Sequence, residues 1–398
     1  MILVSILGCV LATVVVLLVI ALIHTLTIKP TAAVHASAPE GETERGKVYG
    51  AILSRLIQKE TVSQKGETDY TKFHEFQGLL KIEFPLLFEV CEVYTAGHGL
   101  ILRYAAKSPQ GLPILLMSHH DVVATSDGEW KYPPFSGYID EDGCLWGRGT
   151  VDTKGSLFCE LTALEELIRE GWESDTDVYI TSSCTEEWSG PSGPAIVEWL
   201  KERDVKLGML MDEGGIVLED PLPGLKGHYC MVGVVEKGYG DLKFIARGQG
   251  GHASAPGKNT PLPRLGAFMD DVEKHDPFPA KFFPSAKEMF GRMALNMDFP
   301  MKYLFTNLWL FGPFLKKILP SVSPVLMAML KTTCAFTTCK AASGLNILPS
   351  EAYVTGNVRF IPHQPVEECI ELLTQRAKKY DIETEVLSKG AQSAVISN

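Results

Sequence analysis

The chain has 398 residues and a formal net charge of −11, from 37 Lys and Arg and 48 Asp and Glu. This length predicts two or three domains, and a hydrophobic fraction of 45% excludes a disordered protein. The acidic balance argues against a nucleic-acid partner, because phosphate neutralisation needs a basic surface. Nine cysteines, without a Cys-x-x-Cys sequence, argue against a disulfide scaffold and a structural zinc knuckle.

The first thirty residues differ from the rest of the chain. Ile2 to Ile23 form an uncharged, almost wholly apolar stretch. About 20 apolar residues span a bilayer as a helix, whereas the apolar part of a secretory signal is usually roughly 7–15 residues long. The length therefore predicts an uncleaved single-pass signal anchor over residues 1–30 and a tether over residues 31–44. Small residues at Ala36-Ser37-Ala38 keep a cleaved signal, and so a secreted protein, as the alternative.

Residues 45–237 alternate between helical and strand patterns. Apolar residues recur at helical spacing or form short buried runs, which predicts an α/β domain with a mostly parallel central sheet. In such sheets the chemistry lies beyond the carboxyl ends of the strands. The predicted elements are helices over 45–59, 70–84, 154–171 and 193–203, and strands over 113–118, 177–183 and 207–211.

The pattern changes near Gly238. From there to residue 390 the predicted order is β–α–β–β–α–β, which is typical of a ferredoxin-like α+β module. The predicted strands are 239–247, a short one near 342–348, 352–360 and 382–387, and the helices are 262–274 and 366–380. A stretch rich in Phe, Leu, Pro and Met at about 278–338 predicts a helical insertion that covers a pocket or a partner.

Four polar clusters stand at the ends of predicted strands. Each alone is usually a solvated turn or a hydrogen-bonded pair, but carboxylates gathered in one place repel one another unless cations neutralise them. Imidazole and carboxylate groups are ligands that zinc prefers. The clusters are SHHDVV at 118–123, WGRGTVDTKG at 146–155, TEEWSG at 185–190 and MDEGG at 211–215.

These motifs, in this order and together with GGHASAP at 250–256, resemble the aminoacylase, carboxypeptidase S and glutamate carboxypeptidase family of dinuclear zinc hydrolases. The likeness runs from about Arg45 to Leu387 and is greatest for the carboxypeptidase S-like branch. It implies a zinc-peptidase-like catalytic domain, a ferredoxin-like lid that forms a homodimer, and two zinc ions per active site. The implied reaction is hydrolysis of an amide bond in a peptide or an N-acyl amino acid.

The resemblance also implies roles for single residues. A cis peptide often follows the bridging aspartate in this family, and Glu213 is an alternative to Asp212 because relatives differ in the register of that loop. The implied zinc ligands are His119, Asp152 as the bridge, Glu187 and Asp212. The implied catalytic residues are Glu186 as general base, Asp121 as the group that orients His119, and His252 as the oxyanion stabiliser. Asn346 and Arg359 are implied to contact the substrate.

The sequence departs from the family pattern in one important respect. The histidine that ligates the second zinc comes late in the family's catalytic domain, and the last histidine here is His363, at the start of a lid helix. We therefore expect a chain that lacks the C-terminal part of its catalytic domain. This leaves three hypotheses: a membrane-tethered zinc carboxypeptidase or amidohydrolase, a catalytically compromised, non-catalytic binding protein, and a cytosolic-facing aminoacylase that differs from the first only in topology and substrate.

Overall fold

The structure is a computed structural model that describes residues 2–29, 44–125, 130–222 and 224–390. The small-residue cleavage sequence and the predicted tether, except for its last residue Glu44, lie outside the described residues. The described chain divides into two compact units at the Gly214–Gly215 junction, and the N-terminal helix belongs to the unit that begins at Gly215. We call the described residues 44–214 the first unit. The N-terminal helix and the described residues from Gly215 onward form the second unit.

Both units contain helices and strands. The helices are α1 Ile2–Thr27, α2 Glu44–Ile57, α3 Thr71–Glu83, α4 Pro85–Val90, α5 Lys154–Arg169, α6 Ser192–Glu202, α7 Pro261–Lys274, α8 Pro284–Ala294, α9 Phe299–Thr306, α10 Leu308–Val322, α11 Pro324–Ala328 and α12 Val366–Lys378. The strands are β1 Glu92–Ala96, β2 Gly99–Tyr104, β3 Ile114–His119, β4 Tyr138–Ile139, β5 Leu145–Trp146, β6 Val178–Ser183, β7 Met209–Met211, β8 Ile216–Glu219, β9 His228–Met231, β10 Gly238–Arg247, β11 Gly251–His252, β12 Thr333–Lys340, β13 Ile347–Leu348, β14 Glu351–Phe360 and β15 Ile382–Lys389.

The first unit is built on a five-stranded sheet with the order β1-β2-β6-β3-β7. Strands β6, β3 and β7 are parallel, and only β2 runs against the other four. One face packs against α2 to α5, with Leu56, Phe76 and Leu161 fully buried. The other face packs against α6 through Ile196 and Leu200. The predicted mostly parallel α/β sheet is therefore confirmed.

The second unit contains a four-stranded antiparallel sheet with the order β12-β14-β10-β15. Helices α7 and α12 cover it through Leu265, Phe268 and Leu373. In chain order the elements are β10, α7, β12, β14, α12 and β15, which is the predicted ferredoxin-like order. The second strand was misplaced, because β12 begins at Thr333, inside the predicted insertion, whereas the short β13 pairs with β11 outside this sheet.

The helical insertion is α8 to α11, residues 284–328. Its helices bury aromatic and methionine side chains against one another, including Phe290 and Phe305, and form a separate apolar core. The hairpin of β8 and β9 contributes Tyr229 and Met231 to the same core. This packing explains why the second unit already includes β8 and β9, and the predicted boundary between catalytic domain and lid at 237–238 stays a prediction.

By its length and composition, helix α1 could cross a membrane. Almost none of its apolar stretch is buried within the protein. Its contacts within the second unit are made by its last third. Ala21 and Thr25 are buried there, and the Tyr303 hydroxyl of α9 donates to the backbone oxygen of Leu18 at 2.8 Å. A surface core helix would bury a stripe along its whole length, which α1 does not.

Candidate metal centre

The centre of the candidate site is His119, the last residue of β3. The sheet places β3 between two parallel neighbours, β6 and β7, so its carboxyl end lies beside theirs. His119 is buried, and its Nδ1 lies 2.9 Å from the backbone oxygen of Asp121. In the neutral ring with Nδ1 donating to this carbonyl, Nε2 carries a lone pair. Nε2 is buried and makes no hydrogen bond, which is unusual for a polar atom inside a protein.

Carboxylates converge on this nitrogen. Nε2 of His119 lies 3.0 Å from Oδ1 of Asp152, 3.1 Å from Oε2 of Glu213 and 3.7 Å from Oε2 of Glu186. The ligand atoms of His119, Asp152 and Glu213 all lie within 4.8 Å of one another. One buried imidazole and two exposed carboxylates thus surround a single point.

The protonation behaviour of His119 shows how strongly this environment favours positive charge. Burial lowers the pKa of the imidazole, but the nearby carboxylates of Asp121 and Glu213 outweigh burial and raise the pKa to about 11. For Glu213, the nearby imidazole of His119 is the main cause of a pKa below the ordinary value. A site that draws a proton to a histidine among carboxylates also suits a metal cation.

Asp121 connects this histidine to the neighbouring turn. Its buried carboxylate accepts hydrogen bonds from the Ser63 hydroxyl at 2.6 Å and from the backbone N–H groups of Glu186 and Glu187 at 3.1 and 3.2 Å. The carboxylate is 3.4 Å from Nδ1 of His119. Burial raises the pKa of Asp121, but the bonds from His119 and Ser63 outweigh it and keep the pKa low. The ionised Asp121 therefore holds the β3 loop and the glutamate turn together.

Glu186 and Glu187 begin a short 3-10 helix, Glu186–Trp188, after β6. Burial raises the pKa of Glu186 to about 7; His119 opposes this shift and Glu213 adds to it. Glu187 accepts a hydrogen bond from the backbone N–H of Val123 at 3.0 Å, and burial together with Asp152 raises its pKa. Adjacent in sequence, the two glutamates thus have different partners, one near His119 and one near Asp152.

Asp152 precedes α5 in a tight loop. The Asp152–Thr153 peptide is cis, as the resemblance implied. Gly155, in the first turn of α5, packs so closely against this loop that an added Cβ would lie 2.2 Å from the backbone oxygen of Thr150. Real Cβ atoms do not approach that closely, so only glycine permits this path of the loop.

Two residues at this site, Glu213 and Ser63, are more prominent in the structure than in the sequence-based assignment. The structure brings Glu213, the alternative, to His119, while Oδ1 of Asp212 accepts from the backbone N–H of Glu213 at 2.8 Å. Ser63 was not singled out, because it lies 58 residues before Asp121 in a stretch without a motif. The assignment of Asp212 and of the remaining roles stays a prediction.

The predicted lid residues lie in the second unit. His252 and Asn346 are neighbours, since β11 pairs with β13 and the backbone N–H of Ala253 donates to the backbone oxygen of Asn346 at 2.9 Å. Nδ1 of the exposed His252 accepts from the Ser254 backbone N–H at 3.2 Å. The two residues therefore form one polar edge of this unit.

Arg359 lies at the other end of the lid sheet. It is opposite Tyr239, at the start of β10, whereas His252 follows the end of β10. Arg359 lies eight positions along β14 from Glu351, the partner of Arg247, which is roughly 26 Å at the usual strand rise. The structure thus brings His252 and Asn346 together but not Arg359 with them, and its substrate role stays a prediction.

The residues present fit a bound divalent metal. His119 offers a buried, unpaired Nε2, its ring is fixed through Nδ1, and oxygen ligands stand on the same side. A histidine held through its other nitrogen and grouped with carboxylates is the usual donor set of a hydrolytic metal centre.

Comparison with known proteins supports this interpretation. The family model described as Peptidase family M20/M25/M40 matches residues 115–395. The N-fatty-acyl-amino acid synthase/hydrolase PM20D1 of Xenopus tropicalis is 33% identical over 386 residues, covering 94% of this chain and 74% of the relative. The probable carboxypeptidase S-like 2 of Dictyostelium discoideum is 33% identical over 310 residues, covering 77% of this chain, which spans 58% of that relative's length.

Solved structures share the fold. The metallo-carboxypeptidase Sso-CP2 of Sulfolobus solfataricus has a TM-score of 0.55 at 18% identity, covering 86% of this chain and 78% of the other. The dipeptidase Dug1p of Saccharomyces cerevisiae has a TM-score of 0.54 at 16% identity, covering 88% of this chain and 78% of the other. The extent of the family match, together with the relatives, favours the hydrolase hypothesis over the non-catalytic one. The chain belongs to peptidase family M20/M25/M40, and it is a metal-dependent hydrolase of amide bonds.

Proposed function

We propose that the chain is a zinc-dependent hydrolase of N-acyl amino acids, with the reacting groups gathered at the end of β3. The observation that carries this proposal is the buried, unpaired Nε2 of His119 facing three carboxylates. His119, Asp152 and Glu213 would hold one ion. Glu187, with Asp152 as the shared ligand, would hold the second.

The bound ions supply a Lewis acid that polarises the scissile carbonyl and acidifies water. The side chains of the protein carry out the proton transfer. Oε2 of Glu186 takes the proton from the attacking water and passes it to the leaving amine. A carboxylate with a pKa of about 7 suits this task, because a base that titrates near the working pH both accepts and returns a proton readily.

The remaining residues orient and stabilise. Asp121 contacts both the imidazole of His119 and the backbone N–H of Glu186. It therefore holds the general base and the metal ligand at a fixed distance from each other. His252, whose Nδ1 is taken by Ser254, has Nε2 to offer to a developing oxyanion. Asn346 beside it is proposed to contact the carbonyl or carboxylate of the substrate.

The substrate class follows from the relatives. The frog protein is named for N-fatty-acyl amino acids, and the slime mould protein is named as a probable carboxypeptidase. We propose N-acyl amino acids first, and peptides with a free C-terminus as the second candidate. The purified protein, supplied with zinc, should release free amino acid from N-acyl amino acids, and a chelator should abolish the release.

Release from acetylated dipeptides with a free C-terminus, but not from N-fatty-acyl amino acids, would favour the second candidate. Absence of zinc-dependent release from either class would contradict the proposal. Metal content measured on the same preparation identifies the ion, since zinc should be retained through dialysis at about two ions per chain.

We also propose that α1 remains attached and anchors the protein in a membrane. The supporting facts are its length, its apolar composition and its exposure, together with its hydrogen bonds to α9. The protein should remain in the membrane pellet after carbonate extraction. An N-terminus that begins near Ala38 would instead show a cleaved signal and a secreted protein.

A homodimer through the lid is the remaining proposal on partners. Within the described residues strand β12 is an edge of the four-stranded sheet, so one side of its backbone is available to pair with a second copy. Light scattering of the detergent-solubilised protein should give twice the chain mass, and Thr337→Pro on β12 should reduce that mass to one chain if this edge forms the interface.

A further inference from the structure

The helical insertion and α1 meet through a polar contact that is unusually complete. The amide nitrogen of Asn307, a fully buried residue, donates to the backbone oxygen of Ala21 at 3.1 Å and to the hydroxyl of Thr25 at 2.8 Å. Thr25 also pairs with Thr306 at 3.0 Å. These bonds fix α9 beside the last third of α1.

The length of α1 sets the depth of this contact in a bilayer. At 1.5 Å per residue its 26 residues extend about 39 Å, whereas the hydrocarbon core of a bilayer is about 30 Å thick. The excess falls at the polar end of the helix, His24 to Thr27. The residues that contact α9, Leu18 to Thr25, therefore lie at the boundary between hydrocarbon and headgroups.

The outer surface of the insertion has the composition of that boundary. Four large apolar side chains on α9, α10 and α11 are exposed by more than half, and one of them is a tryptophan, an aromatic type enriched at membrane interfaces. Residues 284–328 carry five basic and two acidic side chains, although the whole chain has a net charge of −11. The exposed apolar residues are Phe299, Trp309, Phe314 and Val325.

A groove between α1 and α9 continues this apolar surface. It has a volume of about 240 Å³ and is lined by Val15, Leu18, Val19 and Leu22 of α1 and by Phe299 and Tyr303 of α9. Because α1 contributes most of the lining, whatever surrounds α1 also fills the groove. For a bilayer-spanning helix the surroundings are phospholipid acyl chains.

We propose that α9 and α10 lie in the headgroup interface of the bilayer that α1 spans, so that the second unit is docked on the membrane surface by two contacts. Phospholipid is the partner. The basic side chains, including Lys316 and Lys317, reach the phosphates, while Trp309 and Phe314 enter the upper acyl region. This inference rests on the proposed anchor.

The test uses the tryptophan of the insertion. Full-length protein is reconstituted in phosphatidylcholine vesicles with bromine at carbons 6 and 7 of one acyl chain, which quenches nearby indoles. Trp309→Phe keeps an aromatic ring and should lose most of the lipid-dependent quenching seen in the unmodified protein. The control is Trp172→Phe, an equally conservative change at an exposed tryptophan of the first unit, which should leave the quenching unchanged.

Equal quenching of the unmodified protein and Trp309→Phe would overturn the inference while the protein remains in the carbonate pellet, and the anchor would stand. Release of the protein by carbonate would overturn the anchor and the inference together. Hydrolytic activity is measured separately on the same vesicles and depends on neither result.

Discussion

The two units treat a buried polar side chain in opposite ways. In the second unit, every polar atom of Asn307 is hydrogen-bonded: the nitrogen to Ala21, Thr25 and Tyr303, and the oxygen to Trp309 at 3.2 Å. In the first unit, Nε2 of His119 is equally buried but makes no hydrogen bond. A satisfied polar group inside a protein fixes a structure, whereas an imidazole nitrogen without a hydrogen bond that faces several carboxylates suits a bound cation. The comparison thus separates a positioning contact from a metal site.

The change with the largest expected effect removes the base and keeps the ligands. Glu186→Gln should lower turnover by about 10²- to 10⁴-fold, the usual contribution of general base catalysis, because the amide cannot take the proton of water. Zinc content should stay unchanged, measured by elemental analysis. Glu198→Gln on the exposed face of α6 is the matched control and should keep full turnover. Loss of metal from Glu186→Gln would mean that Glu186 is a ligand and that the roles of Glu186 and Glu187 are exchanged.

The next largest effect is expected from removing Asp121, the residue that orients His119. Asp121→Ala removes the acceptor for Ser63 and for two backbone N–H groups, so the imidazole and the glutamate turn lose their common anchor. Metal affinity should fall by about 10- to 100-fold, as is typical when the partner of a ligating histidine is lost. Competition with a chromophoric chelator measures this loss. An unchanged affinity would show that the backbone bond of His119 alone holds the ring.

A third prediction concerns pH. In the metal-free protein the pKa of His119 is raised to about 11, so the ring is protonated at neutral pH and a metal must displace one proton. Metal affinity should therefore rise about tenfold per pH unit between pH 7 and 9. The stability contribution of the protonated ring has the opposite sign: it is complete below about pH 6.5 and declines as the pH rises towards 11.

Calorimetry in two buffers with different ionisation enthalpies measures the released proton directly. About one proton per first metal ion is expected at pH 7.5. Release of none would mean that His119 is neutral before binding, and the interpretation of its pKa would be wrong.

The smallest effect is expected from replacing Asn307, the buried side chain whose polar atoms are all hydrogen-bonded. Asn307→Leu has a similar volume but leaves the Ala21 carbonyl without its amide donor, so the free energy of unfolding should fall by about 1–2 kcal/mol. Thermal unfolding in detergent micelles measures the loss. Metal content and turnover should not change, and a fall in either would show that Asn307 matters for the site as well as for the fold.

The sequence was sufficient for elements whose pattern reflects burial. The helix predicted at 154–171 is α5, Lys154–Arg169, and the strand predicted at 177–183 is β6, Val178–Ser183, because apolar spacing decides both. The β1–β2 hairpin was not predicted, since its exposed first strand, Glu92–Ala96, has no apolar run. Strand β12 was hidden for a related reason: most of its residues are small or polar, and it follows a helical stretch with no break in composition.

The site shows the same limit. Motifs located His119, Asp152 and the glutamate pair, because each follows a strand or precedes a helix. They did not decide between Asp212 and Glu213, since adjacent residues in one loop differ only in the direction of their side chains. The hydrogen bond of Ser63 with Asp121 joins residues 58 positions apart. Nothing in the sequence alone indicates such a long-range contact.

The close packing at Gly155 has a consequence for the interpretation of genetic variants. This residue has no side chain to donate, accept or ligate, yet any replacement forces the backbone oxygen of Thr150 away from the start of α5. The displaced segment also contains Asp152, two residues later. A variant at Gly155 would therefore abolish function without altering any reactive group, and a classification based on chemical character would score it as harmless.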